Sequence, residues 1–287
     1  MRKISSHLLK YFFVYIQIVF FLFVLTNVLN IYAFSVTTSL TVGNDAPEFS
    51  SGPIEDPASS STTPTDVGDD VTFKATGTDS NDDNYYLILC STNSVTAHNG
   101  SAPTCDDTQY CVSTSTATDT QATCSRTALA GDPISNTWYA FVCDGSSSGA
   151  ACSTASQGSG DSGSPFEVNH SSSFTAVSND GPKNPGVSLT WSTTSSDSDS
   201  DSVKLVVCKT EGITGDECDG GVNDTWCSSS LVASDASCAY SIPSVYPDDT
   251  YDAYVYIVDE HDFGASGVYQ GSNSSFTVNN TSPTVSS

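Results

Sequence analysis

The chain has very few basic residues. Among its 287 residues there are 8 Lys and Arg against 33 Asp and Glu, which gives a formal net charge of −25. Nucleic acids and anionic membranes attract basic surfaces and repel a surface of this kind. The composition therefore excludes nucleic acid as a partner. It favours a soluble, exported protein whose many carboxylates are potential ligands for hard cations.

The sequence also lacks any pair of cysteines with the Cys-x-x-Cys spacing that structural zinc sites use. It nevertheless contains ten cysteines, and all of them follow the apolar N-terminal segment. An even number of cysteines in an exported chain is typical of disulfides formed in an oxidising compartment. We therefore predict five disulfides and no free thiol.

Beyond residue 33, no segment shows the sustained helical period and end caps of a surface helix. The first 33 residues differ, because three basic residues precede an uncharged apolar run, Tyr11–Tyr32, and a small residue, Ala33. This order is typical of an export signal, and the run is also long enough to span a bilayer. Residues 1–33 are therefore interpreted as a signal peptide or, if uncleaved, as a membrane anchor formed by residues 11–33. Either interpretation predicts a secreted or cell-surface protein.

The rest of the chain repeats one pattern. In Val71–Cys90 and again in Val187–Cys208, an alternating apolar run leads into an acidic, serine-rich loop, and a second apolar run ends on a cysteine. Alternation with a period of two predicts half-buried strands, and Asp, Asn and Ser predict a solvated turn between them. The predicted fold class is all-β, with two tandem antiparallel β-sandwich modules after the N-terminal export helix.

Three similar segments mark the junctions between modules: TVGNDAPEF, FEVNHSSSF and FTVNNTSPT. Each contains the end of a strand, a small polar hinge and the start of a new strand. They predict a short strand or linker at residues 34–45, a first module at 46–170, a second at 171–280 and the start of a truncated third at 281–287. Neighbouring repeats of the same chain are then expected to be partners of each module.

The repeat also suggests how the cysteines pair. Two cysteines of the first module, Cys143 and Cys152, have no counterparts in the second and are most simply partners of each other. The other four cysteines of each module allow three connectivities. We favour closure between sequence neighbours: Cys90–Cys105, Cys111–Cys124, Cys208–Cys218 and Cys227–Cys238. In the chain-entropy model each such bridge contributes about 3 kcal/mol.

Taken together, the pattern resembles the immunoglobulin-like and fibronectin type III-like β-sandwiches that form tandem repeats in bacterial cell-surface or secreted proteins. The resemblance is carried by the early strand pairs, by TYDAYVYIVDE at Thr250–Glu260 and by SSFTVNN at Ser274–Asn280. Tyr251 falls where such folds keep a corner tyrosine, whereas the first module offers Trp138 and Tyr139 there. The resemblance implies extracellular display, spacing or adhesion, and it implies no chemistry.

The acidic loops are candidate calcium sites. Calcium takes six to eight oxygen ligands, and carboxylates closely spaced on a loop can supply several of them. The candidate ligands recur in both modules, as Asp79, Asp82, Asp83 and Asp144 in the first and Asp197, Asp199, Asp201 and Asp259 in the second. Neither loop has the glycine and terminal glutamate of an EF-hand, so an ordinary solvated turn is the alternative. No other cofactor is predicted.

No catalytic site is predicted. The segment GDSGSP at Gly160–Pro165, together with His98, is similar to the nucleophile and base segments of chymotrypsin-like serine proteases. However, Ser162 follows His98 by only 64 residues, which is too short for that double barrel, and Ser164 replaces a glycine of the motif. A loop leading into a strand is the simpler interpretation, and the protein is expected not to be an enzyme.

The favoured function is that of structural or adhesive repeat modules within a larger extracellular surface protein. Their partner would be a protein or a glycan on a surface. The alternative is a pair of glycan-binding accessory modules that serve a secreted enzyme. Tyr254 and Tyr256 alternate out of phase with the apolar positions and are candidate outward-facing contact residues, although tyrosine is also an ordinary strand residue.

Overall fold

The structure, a computed structural model, describes residues 6–31, 43–147, 149–160 and 162–279. The chain divides into two compact units, Met1–Gly43 and Asn44–Ser287. The first unit contains the helix α1, Ser6–Ile31, whose side chains at residues 10–25 are exposed. Among the described residues, no helix is long and apolar enough to cross a membrane. The predicted short strand at 34–45 lies largely outside the described residues, as does the predicted start of a third module at 281–287.

The first half of the β-rich unit is a sandwich of antiparallel sheets. Its described strands are β1 Glu48–Glu55, β2 Thr65–Asp66, β3 Asp70–Thr78, β4 Tyr85–Cys90, β5 Val95–His98, β6 Ser101–Cys105, β7 Gln109–Val112, β8 Gln121–Thr127, β9 Ser135–Asn136, β10 Tyr139–Asp144 and β11 Phe166–Asn169. One sheet has the order β1-β3-β8 and the other β10-β4-β7. Strand β11 joins β2 and β9 in a third, smaller sheet, and β5 and β6 form a separate hairpin.

The second half repeats this arrangement. Its described elements are β12 Ser173–Asn179, β13 Ser188–Ser196, β14 Val203–Cys208, β15 Ile213–Thr214, β16 Glu217–Cys218, a 3-10 helix Val222–Asp224, β17 Thr225–Ser228, β18 Ser237–Ser241, β19 Asp249–Tyr251, β20 Tyr254–Asp259, β21 Ser272–Asn273 and β22 Phe276–Val278. The two main sheets have the orders β12-β13-β18 and β17-β14-β20-β21. Strands β15 and β16 form a hairpin, and β19 pairs with β22. The prediction of an all-β fold with antiparallel sandwiches is confirmed.

Each sandwich has its own apolar core between its two sheets. Strands β3 and β13 bury alternate residues, as their period-two sequences predict. In the first core Phe73 lies edge-on to both Trp138 and Phe166, with ring centroids 5.3 and 6.0 Å apart. In the second, Trp191 and Trp226 both lie edge-on to Phe276. These aromatic pairs fix the separation of the sheets.

The central strands of the second sheet are buried on both faces. Beneath the hairpin β5–β6, Ile88, Cys90, Phe141 and Cys143 form a small outer cluster, and the hairpin β15–β16 covers Val206, Cys208 and Tyr256. This explains why β4, β10, β14 and β20 read as continuous apolar runs. The interpretation of Tyr256 as outward-facing is therefore wrong: it is 5% exposed, and its hydroxyl accepts a hydrogen bond from the Gly212 N–H at 2.7 Å.

All ten cysteines form disulfides, and these join the same pairs as the sequence-based scheme: Cys90–Cys105, Cys111–Cys124, Cys143–Cys152, Cys208–Cys218 and Cys227–Cys238. The bridges have two kinds of role. In each sandwich one bridge joins the two sheets, from β7 to β8 in the first and from β17 to β18 in the second. The bridges from the ends of β4 and β14 hold the covering hairpins against the outer clusters.

Candidate site at the junction of the two sandwiches

An asparagine precedes the first long strand of each sandwich and is held by a buried aspartate of that sandwich. Asn44 Nδ2 donates to Asp144 Oδ2 at 2.9 Å, and Asn169 Nδ2 donates to Asp259 Oδ2 at 3.1 Å. Asp144 ends β10 and Asp259 ends β20, and both are at most 1% exposed. The predicted calcium ligands at these two strand ends therefore already serve as anchors for the incoming chain.

The residue after each asparagine makes a second repeated contact. The backbone N–H of Asp45 donates to Asn81 Oδ1, and that of His170 donates to Asp199 Oδ2, both at 2.7 Å. Asn81 and Asp199 lie in the acidic loops between β3 and β4 and between β13 and β14. The two loops share their internal geometry as well.

In that geometry the first aspartate of each loop accepts a hydrogen bond from the residue two positions later. The bonds run from the N–H of Asn81 to Asp79 Oδ1 and from the N–H of Asp199 to Asp197 Oδ1, each 2.7 Å long. A left-handed residue follows in both loops, Asp82 with φ of 60° and Ser200 with φ of 73°. Asp79 thus corresponds to Asp197, and Asp83 to Asp201.

At the second junction these contacts gather an unusual number of ionisable groups. We call this group the junction cluster; it consists of Asp66, Asn169, His170, Asp197, Asp199, Asp201, Asp259, Glu260 and His261. Oxygen atoms of Asp197, Asp199 and Asp201 lie within 4.8 Å of one another, as do ligand atoms of Asp201, Glu260 and His261. Asp66 and Asn169 are the cluster members that belong to the first sandwich. They are bonded to each other, with Asn169 Nδ2 donating to Asp66 Oδ1 at 2.9 Å.

Two histidines lie against the aspartates of the cluster. His170 Nδ1 lies 3.0 Å from both carboxylate oxygens of Asp199, whose side chain is 7% exposed. His261 Nε2 lies 3.7 Å from Asp201 Oδ2. The four described Lys and Arg side chains that form salt bridges all pair with aspartates elsewhere: Asp56, Asp132, Asp180 and Asp216.

The cluster holds its carboxylates in unfavourable surroundings. Burial raises the pKa of Asp197, and the charges of Asp199 and Asp259 raise it further, against hydrogen bonds from backbone N–H groups that lower it. Burial likewise raises the pKa of Asp201, where His261 is the main opposing influence. Burial raises the pKa of Asp66 too, although the hydrogen bond from Asn169 lowers it. Removal from water and repulsion between like charges therefore both raise the pKa values of carboxyl groups in this cluster.

Two buried oxygens in the cluster have no hydrogen-bond partner. They are Oδ1 of Asn169, a residue that is 1% exposed, and Oδ2 of Asp197. Buried polar atoms without a partner are uncommon in folded proteins and cost free energy. Neither carboxylate that Asn169 Nδ2 contacts can donate a hydrogen bond to Oδ1 when it is ionised.

The predicted ligands of the first sandwich are arranged differently. Asp79 is 5% exposed and its Oδ2 has no partner, but in the described residues no group of three carboxylates or imidazoles forms around it. Asp82 and Asp83 instead line a shallow polar depression of about 420 Å³ together with Asn84 and Tyr86. Within the described residues, a group of three predicted ligands lies within 4.8 Å of one another only in the second sandwich.

Sequence reasoning missed several members of the cluster. Asn169 and His170 are in the repeated junction segment, so their equivalence to Asn44 and Asp45 was a usable signal. Glu260 and His261 follow the late strand directly, but the first sandwich has Gly145 and a short turn there. Nothing in the Pro-, Ser- and Thr-rich segment around Asp66 points to the site, because its position depends on the pairing of β2 with β11.

Two other features of the first sandwich are not part of the junction cluster. His98 Nε2 and Thr104 Oγ1 are 2.9 Å apart within the hairpin β5–β6. A hollow of about 720 Å³ in the first sandwich contains Arg126 and Tyr110. Arg126 forms a two-pronged salt bridge with Asp132, at 2.8 and 2.5 Å, and its guanidinium lies 4.9 Å from the Tyr110 ring centroid, so its charge is already compensated.

The corner before β20 agrees with an immunoglobulin-like β-sandwich. The Tyr251 hydroxyl donates to the Pro247 carbonyl oxygen at 3.1 Å, which is the corner contact that immunoglobulin-like domains make ahead of their late central strand. The two packed antiparallel sheets and the crossing connections agree with it. The fold is immunoglobulin-like. Its assignment rests on the strand order and corner of this chain.

Comparisons with known proteins add only distant likenesses. No protein-family model matches the chain, and no curated protein matches it. Among solved structures it is similar to two of a marsupial T cell receptor. The first is 12% identical with a TM-score of 0.39, covering 75% of this chain and 69% of that one. The second is 10% identical with a TM-score of 0.25, covering 74% and 67%.

The immunoglobulin-like modules and their five disulfides fit a disulfide-stabilised extracellular module. The bridges suggest an oxidising compartment, since cytosolic thiols are kept reduced.

Proposed function

We propose that the chain supplies structural and adhesive repeat modules to a secreted or cell-surface protein and catalyses no reaction. The observation that carries the proposal is the repeated junction. Asn44 with Asp144 and Asn169 with Asp259 anchor the start of each immunoglobulin-like module in the same way. A contact repeated at each module is what a chain needs to set a regular spacing between modules.

The connection between the two modules supports a spacing role. Strand β11 ends at Asn169 and β12 begins at Ser173, so three residues link them. His170 is bonded to Asp199 through its backbone, and Ser172 is fully buried, with its carbonyl accepting the Ser266 N–H at 2.8 Å. A short linker with bonded backbone limits the relative motion of domains, in contrast to a flexible Gly- or Ser-rich linker.

Small-angle scattering of the purified chain tests the spacing role. The wild type is expected to show a narrow distribution of distances between modules, and Asn169→Ala is expected to broaden it, because the variant removes the contacts to Asp66 and Asp259. Asn99→Ala, in an exposed turn of the first module, is the control. An equally broad distribution in the wild type would mean that the two modules move independently of each other, and it would overturn the proposal.

The adhesive and non-catalytic parts need their own measurement. Immobilised chain is expected to retain a protein or glycan from a panel of surface ligands without converting it. The same preparation is assayed against fluorogenic peptides, esters and glycosides. Turnover that co-purifies with the chain and persists at constant specific activity would contradict the non-catalytic proposal.

One observation favours a glycan-binding accessory role as the second candidate. The polar depression of the first module places Tyr86 beside Asp82, Asp83 and Asn84. An aromatic face with carboxylate and amide groups around it suits a sugar ring and its hydroxyls. Tyr86→Ala should abolish glycan retention if this depression binds it, whereas retention that survives the substitution would reject this candidate.

A further inference from the structure

We propose that the junction cluster binds one calcium ion, held between the two modules by oxygens of Asn169 and Asp66 from the first and of Asp197, Asp199 and Asp201 from the second. This goes beyond the spacing role, which requires no ion. It also differs from a site within each acidic loop, because residues on both sides of the junction supply ligands.

The donor set suits a hard cation. The cluster offers six carboxylates and an amide oxygen, and calcium binds six to eight such oxygens at flexible loop sites. Its two imidazoles each lie against one aspartate. Because the described Lys and Arg salt bridges are all elsewhere, the cluster holds several negative charges with little compensation. Buried charges of one sign need a counter-ion.

The Asn169 amide provides the independent indication of a ligand. Its Nδ2 is bonded to Asp66 and Asp259, yet its Oδ1 is buried and has no donor. The two carboxylates that accept from Nδ2 have no hydrogen to donate when ionised, so they cannot satisfy the amide oxygen. A cation satisfies the amide oxygen and the carboxylates together. The partnerless Oδ2 of Asp197 is in the same situation.

The corresponding place in the first module explains why we infer one ion. There Asn81 stands where the second module has Asp199, Gly145 where it has Glu260, and Asp45 where it has His170. The first loop has as many aspartates as the second, but among the described residues they form no group of three close ligands. An ion is accordingly expected at the second junction alone.

A calcium ion at this position would act on the junction. It would connect β11 of the first module to the acidic loop of the second, so the modules would be held more rigidly with calcium than without it. In a calcium-rich extracellular medium the repeat would be stiff, and after calcium removal its junction would loosen.

The test is calorimetric titration of the full chain with calcium chloride after treatment with a chelator. One ion per chain is expected, and Asp201→Asn should weaken binding at least tenfold. Asp197→Asn serves as a second variant in case the first does not fold, as judged by circular dichroism. Asp248→Asn, at an exposed acidic position just before β19 that is not part of the cluster, controls for the loss of one charge and should leave binding within twofold of wild type.

Three results would overturn the proposal. The first is no saturable heat up to about 1 mM calcium, the weak end of the range for extracellular modules. The second is binding that Asp83→Asn abolishes and Asp201→Asn leaves intact, which would place the ion in the first module. The third is equal binding of magnesium and calcium that neither substitution affects. In all three cases the scattering test of module spacing would still stand on its own.

Discussion

Asn136 takes the place in the first sandwich that Tyr251 takes in the second. Asn136 pairs with Phe166 and Tyr251 pairs with Phe276, so the two residues hold the same register against the closing strand. Both donate a hydrogen bond to the carbonyl of an upstream proline, Asn136 Nδ2 to Pro133 at 2.6 Å and the Tyr251 hydroxyl to Pro247 at 3.1 Å. The corner contact is therefore kept although the side chain differs.

Removing the asparagine of this corner should destabilise the first sandwich selectively. Asn136 is 3% exposed and its amide donates to the Pro133 carbonyl, so Asn136→Ala removes this bond and is expected to cost about 1 kcal/mol of unfolding free energy. The measurement is the urea dependence of amide hydrogen exchange, recorded separately for each sandwich. Tyr251→Phe is the matched variant and should cost about 1 kcal/mol in the second sandwich only. Equal losses in both sandwiches from either variant would contradict independent corners.

The corner shows what sequence reasoning could and could not reach. Tyr251 was predicted from its place before the late strand, and its hydroxyl makes the expected contact. Trp138 and Tyr139 were considered for the first module, yet Trp138 is fully buried in the core and the corner is Asn136. The corner needs only one side-chain hydrogen-bond donor, which several residue types can supply. Residue type alone therefore does not identify the corner position in a sequence.

Strand periodicity was the strongest signal for the fold. The alternation of Val71, Phe73 and Ala75 predicted β3 because only one of its faces is buried. The same reasoning was wrong for Tyr256, because a hairpin that is distant in sequence covers the outer face of β20. Asp66 was missed for a similar reason, because it reaches the junction cluster only through the pairing of two short strands.

The disulfides between the sheets should carry more stability than the additional bridge of the first sandwich. Cys111–Cys124 joins β7 to β8 across the core, and replacing both residues with alanine is expected to lower the unfolding free energy by about 3 kcal/mol. Cys143–Cys152 closes a shorter loop, with a separation of 9 residues against 13, so the corresponding double alanine variant should lose less. Calorimetry of the two variants checks the order. Peptide mapping without reduction checks the pairing, and any crossed pair would refute the scheme.

Glu55 should make the first sandwich less stable as the pH rises. It is 2% exposed, and neither carboxyl oxygen has a hydrogen-bond partner of ordinary geometry. Burial raises the pKa of Glu55, Ser59 lowers it in part, and Glu167 raises it further. The folded protein therefore retains a proton that the unfolded chain has released. The stabilisation from this protonated group is complete below the unfolded pKa, about 4.3, and is lost as the pH rises through the folded pKa.

Glu55→Gln tests this dependence because it keeps the shape and removes the titration. Its unfolding free energy should equal that of the wild type near pH 4 and exceed it by about 1 kcal/mol near pH 8. Glu48→Gln, on the exposed start of the same strand, should change neither value. A constant difference between wild type and Glu55→Gln at all pH values would show that the carboxyl group does not titrate in this range.

The anchor at Asp259 should control exposure of the linker between the sandwiches. Its Oδ2 accepts the bond from Asn169, and its Oδ1 accepts the N–H groups of His261 and Phe263 at 2.8 and 3.0 Å. An asparagine side chain here would place its own NH2 group against one of these N–H groups, so one hydrogen bond would be lost. Asp259→Asn is therefore expected to lower the free energy of local opening by about 3 kcal/mol. The backbone amide of His170 should then exchange its hydrogen roughly a hundredfold faster.

Asp144→Asn is the matched control, because Asp144 accepts equivalent bonds from Asn44, Ser146 and Ala151 in the first sandwich. It should destabilise the first sandwich to a similar extent and leave the exchange of His170 unchanged. If both substitutions accelerate exchange at His170 equally, the linker responds to global stability, and Asp259 is not its specific anchor. If only Asp259→Asn does so, the buried aspartate of the second sandwich holds the junction closed.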